Sequence, residues 1–467
     1  MRSTTLTALL LGALAAALAL LQAPSDSDLF WHLKQGEYTL QHGQILDRDA
    51  WSFTRIDTPY NTGAWLGDAV MALAFRAGAW VGIDLLRALL VGVAAYFSAR
   101  VTLRVQPHAG WAAVPVLGVI LVSRMVWGDR PQLFTLALFP VVLDLLFAAR
   151  LEGRIRRLAL LPFVFVLWAN LHNAFVIGLV AVAIFAIDAI VETDLPLRIQ
   201  LPLAVVTSVL AAQLNPAGAG AVGRAAAYGA LLPGWIVEDR PLDVLSGAGF
   251  VFAALLIAAL GAAMLRGREG IAARLGAPLL WPGLIAPFAV LALAIQRETP
   301  YACMILAPFA AAMVPDALGR TRVTSLLVPR AAALTAVGAI ALGLVIETAT
   351  LVPGQPDLSA YPTGAVSALR TARGNLLNEY DWGGYLILYA PEHRTFIDGR
   401  GEALFVPEVL EDFQHAVALA PGYRDILKKW DIALALLRPD RPLAGALFED
   451  GWRLDASGNG WVLLSRP

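Results

Sequence analysis

Runs of apolar residues, separated by short charged or Gly/Pro-marked turns, recur along most of this chain: 5–21, 80–101, 111–126, 132–149, 158–168, 174–191, 201–214, 250–265, 279–295, 301–313 and 331–346. Many approach the roughly 20 residues needed to cross a bilayer as a helix. The pattern therefore predicts about eleven spans, the shorter ones completed by flanking residues or tilt. Between the first two runs lies a stretch too long for a simple connector. Residues 30–42 carry amphipathic spacing, and 64–79 carry a second apolar face interrupted by Asp68 and Arg76. Both are expected as helices lying on the membrane surface rather than crossing it. Residues 217–232, rich in Ala and Gly and opened by Pro216, fit either another surface helix or a short span.

After residue 351 the pattern changes. Pro353, Pro356 and Pro362 mark a linker, and the remainder of the chain is long enough for a small soluble domain. Residues 385–389 and 394–397 read as strands, 407–419 and 423–430 as helices, and 432–437 as a buried strand. Residues 452–454 and 461–465, joined across Ser457-Gly458-Asn459-Gly460, read as a closing hairpin. The expected organisation is a transmembrane domain over 1–351 with a large first outer loop at 23–79, and then an α/β domain over 352–467.

Composition removes the soluble alternative. Hydrophobic residues make up 58% of the chain and charged residues 15%, with mean hydropathy +0.65, so the bilayer must be the solvent for most of it. No basic block or aromatic–basic stripe points to nucleic acid. Cys303 is the only cysteine, which excludes an intramolecular disulfide and a cysteine-rich metal site. Leu21-Gln22-Ala23 loosely resembles a signal cleavage site, but the many later spans favour an uncleaved first helix.

The charges sort by side. Alternation of the spans places Arg100 and Arg104, then Arg150, Arg154, Arg156 and Arg157, then Arg266, Arg268 and Arg274, then Arg320, Arg322 and Arg330 on the side of Arg2. The positive-inside rule makes that side cytoplasmic. The opposite loops carry Asp26, Asp28, Asp47, Asp49, Asp129, Glu238 and Asp239. An odd number of spans sends the C-terminal domain outside, with the acids.

Candidate chemistry gathers in those outer loops. Asp26-Ser27-Asp28 comes directly after the first span and runs into Trp31 and His32. One acid would suffice to mark a span end; two at i, i+2 in an extended stretch point to a general base or metal ligand. Asp47, Arg48, Asp49 and Trp51 form a second cluster, which a turn ahead of the surface helix explains equally well. Asn170, His172 and Asn173 end the fifth span, where polar groups at a membrane boundary point to phosphate or sugar hydroxyls. Asp129-Arg130-Pro131-Gln132 opens the fourth span, and Glu238-Asp239-Arg240 and Arg297-Glu298 occupy later outer loops. Arginine's planar donors match phosphate oxygens; Arg130, Arg240 and Arg297 qualify, with Arg297 first because it borders a span end. Asp84, Asp144 and Asp188 fall in or near spans, where an acid costs about 2.5–3.5 kcal/mol at a helix centre. They are therefore expected to face the bundle or lie near an end.

Asp28-Leu29-Phe30-Trp31-His32-Leu33-Lys34-Gln35-Gly36-Glu37 and Trp168-Ala169-Asn170-Leu171-His172-Asn173, with the acid-bearing first loop and the outer C-terminal domain, resemble the GT-C superfamily of membrane glycosyltransferases. Protein O-mannosyltransferases, aminoarabinose transferases and oligosaccharyltransferase catalytic subunits typify it, and the motifs are most similar to a bacterial branch. The resemblance implies an α-helical polytopic protein of the bacterial inner membrane, its N-terminus cytoplasmic and its C-terminal domain periplasmic. It implies an inverting hexosyl- or pentosyltransferase that takes its sugar from a polyprenyl phosphate and passes it to a lipid, glycan or protein acceptor. In that family the first-loop acid is the catalytic or metal-binding carboxylate, which implies Asp28, with Asp26 the close rival. A divalent cation, Mg or Mn, would involve Asp28, Asp129 and Glu238, although Asp129 stands alone in the second outer loop where oligosaccharyltransferases carry further acids. His32, Arg130, Asn170, His172 and Arg297 are the candidates for the donor phosphate, and Asp49, Trp382 and Tyr385 for the acceptor. Tyr380-Asp381-Trp382-Gly383-Gly384-Tyr385 loosely resembles an oligosaccharyltransferase acceptor motif, with a different order and one Trp missing; a strand entry with tight Gly turns is the competing reading. Asp398-Gly399-Arg400 fits a turn cap. Two other functional classes stay open: a transporter of lipid-linked glycans, and a non-catalytic anchor whose outer domain binds glycan or protein.

Overall fold

The structure is a computed structural model, which describes residues 2–24, 26–60, 63–191, 195–230, 237–266, 279–312 and 356–467. The expected span at 331–346, the linker residue Pro353 and the loop residues Arg268, Arg274, Arg320, Arg322 and Arg330 lie outside the described residues.

The apolar runs form helices: α1 (Arg2–Leu20), α2 (Leu29–His42), α3 (Trp65–Val105), α4 (Ala109–Ser123), α5 (Gln132–Glu152), α6 (Leu161–Leu171), α7 (Phe175–Val191), α8 (Leu195–Ala212), α9 (Ala221–Ala230), α10 (Gly247–Arg266), α11 (Leu280–Ala294) and α12 (Thr299–Ala311). Among the described residues five stretches are long and apolar enough to cross a membrane: Trp65–Val105, Ala109–Val126, Gln132–Glu152, Leu195–Ala212 and Gly247–Met264. The count of eleven is thus not reached on length alone. The 11 residues of α6 rise only about 16 Å as α-helix, and a 3-10 segment, Ile155–Leu160, precedes them. Within the run at 217–232, Ala221–Ala230 forms α9, and residues 231–232 lie outside the described residues. The chain is a multi-pass membrane protein.

Contacts divide the chain into two units: Met1–Gln22 with Ile83–Gly354, and Ala23–Gly82 with Gln355–Pro467. In the first, α5 is the central helix, with 89% of its apolar window buried, against 28% for Gly247–Met264. The peripheral helices expose Leu89, Val114, Phe163, Leu210, Ile257 and Val290, as lipid-facing helices do.

In the second unit the first loop joins the C-terminal domain. Its sheet has the order β1-β2-β4-β3, with β1 (Asn375–Asn378), β2 (Ile432–Leu437), β3 (Arg453–Gly458) and β4 (Trp461–Ser465). Strand β1 runs parallel to β2 and the others pair antiparallel. The buried strand 432–437 is as expected, as are helices at Glu408–Val417 and Tyr423–Lys429; the closing hairpin also forms, but its first strand is longer than 452–454 and runs through Ser457 and Gly458, leaving Asn459-Gly460 as the turn. Two expected strands are not strands. Gly383–Tyr389 is a helix, whose i, i+4 spacing brings the rings of Tyr385 and Tyr389 together at a tilt, centroids 4.7 Å apart. Thr395 makes only isolated bridges, to Ser52 and Leu376.

Helix α3 leaves helical geometry at Gly78 (φ −150°, ψ 17°) and Ala79 (φ 48°, ψ −133°), which is the boundary the hydrophobic pattern placed between the surface segment and the second span. Before that break α3 packs on α2 through Gly36, where a Cβ would lie 2.0 Å from the backbone oxygen of Asp68 and 2.8 Å from Cβ of Ala72. Backbone cannot retract as a flexible side chain can, so Gly36→Ala is expected to destabilise the protein by about 1–3 kcal/mol. Thermal unfolding of the purified chain checks this; an unchanged midpoint would mean the helices do not touch there.

Candidate functional site

In the second unit the first-loop acids stand where the chain enters α2. Asp28 occupies the N-cap position but makes no capping hydrogen bond with its side chain. Its Oδ1 instead accepts from Nε1 of Trp31 at 3.2 Å, and its own backbone N–H donates to Oδ1 of Asp26 at 2.9 Å. A Cβ on Gly399 would fall 1.8 Å from Oδ1 of Asp28, so glycine there is a requirement of close approach. Gly384 likewise sits against the backbone oxygen of Ser27, with 2.6 Å to a built Cβ. The two motifs that stood apart in sequence, Asp28–Glu37 and Tyr380–Tyr385, therefore pack on each other inside one unit. The positive end of α2 also favours a carboxylate at this place.

Aromatic rings surround this entry. Phe30 meets Tyr361 at 5.0 Å and Tyr385 at 5.4 Å, both edge-on, and Tyr361 stacks with Tyr385 at 5.3 Å. Burial, then the charges of Asp26, Asp381, Asp28 and Asp357, push the Tyr361 hydroxyl well above the usual tyrosine range. Burial, with Tyr389 beside it, raises Tyr385 to about 12. Trp382 is 2% exposed and donates Nε1–H to the backbone oxygen of Ala360 at 2.8 Å. Trp382 and Tyr385 are thus core residues, and the acceptor contact expected of them has almost no surface to use.

His32 and Asp49 are likewise committed within the unit. Nδ1 of His32 lies 2.6 Å from Oδ1 of the fully buried Asp68, and the His32 ring meets that of Trp31 at a tilt, centroids 3.5 Å apart. Asp49 accepts from Ser52 N at 3.1 Å and pairs with Arg400, whose Nε and Nη2 also bind the two oxygens of Asp398 at 2.7 Å. Arg400 lies among the rings of Trp51, Tyr60 and Phe405. Burial works against its charge, but Asp398 and Asp49 outweigh it and raise its affinity for the proton. This buried triad ties the first loop to the C-terminal domain, with Thr54 donating to the Phe396 carbonyl at 2.7 Å. Asp398-Gly399-Arg400 is thus more than a turn.

In the first unit the remaining candidates form a separate network. Nη1 of Arg87 binds both oxygens of Asp129 at 2.6 Å and Nη2 binds Asp84 at 2.6 Å; Arg87 also donates to the carbonyls of Ala19 and Gln22. Arg130 pairs with Glu238, and Arg297 with Asp239 at 2.9 Å. At the far end of α5, Asp144 meets Arg104 at 2.8 Å and Arg100 at 3.2 Å, and Asp188 meets Arg150 at 3.6 Å. Asp129 precedes α5, Asp144 lies within it and Arg150 in its last turn, so the two charge networks stand about 20–30 Å apart along this helix. All three intramembrane acids are buried and paired, as their cost required. Arg87 was not legible from the pattern, because a lone Arg in an apolar run shows no partner until the fold supplies Asp129.

Nδ1 of His172 accepts from the Ala174 N–H at 3.3 Å and meets the Thr135 hydroxyl at 2.9 Å, which therefore donates. Asn170 spends Nδ2 on the carbonyls of Val166 and Leu214, both at 2.8 Å, fastening α6 to the turn after α8. These placements tie the donor-phosphate candidates Asn170 and His172 into protein contacts.

Two of the three residues expected to hold a divalent cation, Asp129 and Glu238, are already paired with arginines. Both oxygens of Asp129 face a guanidinium, Glu238 is paired with Arg130, and among the described residues no three His, Cys, Asp or Glu gather into a metal-holding group.

No protein-family model matches the chain, and no curated protein matches it. Solved structures do. The chain is similar to the Archaeoglobus fulgidus oligosaccharyltransferase tethered to an acceptor peptide, at TM-score 0.62 and 13% identity, over 93% of this chain and 69% of that one. AglB of the same organism, in complex with an inhibitory peptide and a dolichol-phosphate, gives 0.62 at 12% identity over 93% and 69%. ArnT from Cupriavidus metallidurans, bound to undecaprenyl phosphate, gives 0.54 at 13% identity over 97% and 96%. At such identities the likeness is one of fold alone.

Proposed function

We propose that this chain is an inverting membrane glycosyltransferase that moves a sugar from a polyprenyl phosphate to an acceptor hydroxyl or amide. The observation that carries this reading is the first-loop carboxylate of Asp28, held by Trp31 and wedged against Gly399 rather than capping its helix, in a fold shared with proteins solved with dolichol-phosphate and undecaprenyl phosphate. In the reaction Asp28 takes the proton of the attacking group as it displaces the phosphate at the anomeric carbon, a role that needs a positioned carboxylate. In the first unit, Arg297 and Arg130 are the proposed contacts for a lipid phosphate, because arginine's planar donors match phosphate oxygens. Transport of lipid-linked glycans fits less well, since the acids of the first loop are built into the unit that carries the C-terminal sheet.

A strain lacking the chain is expected to lose one sugar from an envelope lipid, glycan or protein, regained on supplying the wild-type chain and not the Asp28→Asn variant. An envelope profile that is unchanged by the deletion would set the reading aside. The proposed orientation, with the N-terminus cytoplasmic and the C-terminal domain outside an inner membrane, rests on the arginine bias. A reporter active only in the periplasm should light up when fused after Pro467 and stay dark after Arg157. A dark, expressed C-terminal fusion would mean the number of spans is even.

A further inference from the structure

We infer that Asp68 and His32 are positioning residues for Asp28, acting through the indole of Trp31. The array runs through four side chains of one unit: Asp68 to His32 at 2.6 Å, His32 to Trp31 by a tilted ring contact with centroids 3.5 Å apart and planes at 31°, and Trp31 Nε1 to Asp28 Oδ1 at 3.2 Å. Its kinetic consequences rest on the glycosyl-transfer reading; its geometry does not.

Three features separate this array from an ordinary satisfied core histidine. A neutral side chain or a carbonyl would satisfy a buried imidazole, yet here the partner is a carboxylate at 0% exposure, which is costly to bury without a functional return. The approach that brings Asp68 to His32 depends on Gly36, one turn further along α2, because a side chain there would strike the Asp68 backbone. Finally, the array ends on the residue assigned the chemistry, whose Oδ1 is confined from the other side by Gly399. The carboxylate at Nδ1 fixes the tautomer and the ring plane of His32. That plane fixes the indole, and the indole N–H fixes one oxygen of Asp28. Rate is sensitive to such support: a misplacement of about 1 Å costs about 100-fold.

The test uses the full-length chain in detergent. Trp31→Phe keeps a ring for His32 to meet and removes the N–H; Asp68→Ala removes the anchor; Asp68→Asn keeps its shape. Trp31→Phe and Asp68→Ala should each lower kcat roughly 10- to 100-fold with KM for the donor changed less than about twofold, and the double variant should be no worse than the poorer single one, because both break the same path. Asp68→Asn should fall between Asp68→Ala and wild type. Losses that multiply, or that track the melting temperature, would overturn the inference. A second arm needs no activity: with 15N-tryptophan, the Trp31 indole resonance, assigned by its absence in Trp31→Phe, should move in both Asp68→Ala and Asp28→Asn. An unmoved resonance would overturn the inference even if transfer is confirmed. Movement in a protein that transfers no sugar would leave the array standing and remove the transferase reading.

Discussion

Asp28→Asn is expected to lower sugar transfer by about 10²–10⁴-fold, the range set by loss of a positioned base, while the protein folds and melts as wild type. The two effects separate because of what Asp28 touches. The amide oxygen of Asn can still accept the Trp31 indole N–H that now reaches Oδ1, and no capping bond is lost, since the side chain makes none. What disappears is the charge and the basic oxygen. Asp26→Asn should be milder, because Asp26 accepts the backbone N–H of Asp28, which an amide oxygen also does. Turnover from a polyprenyl-phosphate sugar, with unfolding measured on the same samples, checks both. An Asp28 variant of wild-type turnover would remove Asp28 from the chemistry.

Arg400→Leu should have the largest effect on stability. It strands Asp49 and Asp398, both fully buried, and breaking a buried pair from one side costs about 3–5 kcal/mol because the partner's charge is left uncompensated. The loss falls on the contact between the first loop and the C-terminal sheet, so proteolysis should open the segment around Asp49 before the rest of the chain. Replacing all three members with apolar side chains of similar volume should recover much of the stability. Thermal unfolding and limited digestion of the full chain give the answer. A variant that melts with wild type would mean the triad does not hold the loop.

Local signals were legible in the sequence: the 3.6-residue spacing that made α2, the loss of helix at Gly78 and Ala79, and the paired acids beside Trp31 and His32. Contacts that depend on distant chain were not. Arg400 reaches Asp49 across 351 residues, and nothing in Asp398-Gly399-Arg400 reveals that reach. The Gly383-Gly384 pair fits a turn before a strand; it is the first turn of a helix, with Gly383 against the Ile397 carbonyl and Gly384 against Ser27. Glycine marks both tight turns and close approaches, and only the neighbour's position tells them apart. Asp68 was visible as a charge that interrupts an apolar face, but its partner His32 became visible only once Gly36 let the two helices touch.

The most direct test of the central claim is transfer itself. Purified full-length chain, given a series of polyprenyl-phosphate sugars and an envelope extract as acceptor source, should release polyprenyl phosphate and form a glycoside of inverted anomeric configuration, and Asp28→Asn should do neither. A folded wild-type protein that binds these donors yet releases no polyprenyl phosphate with any of them would contradict the account.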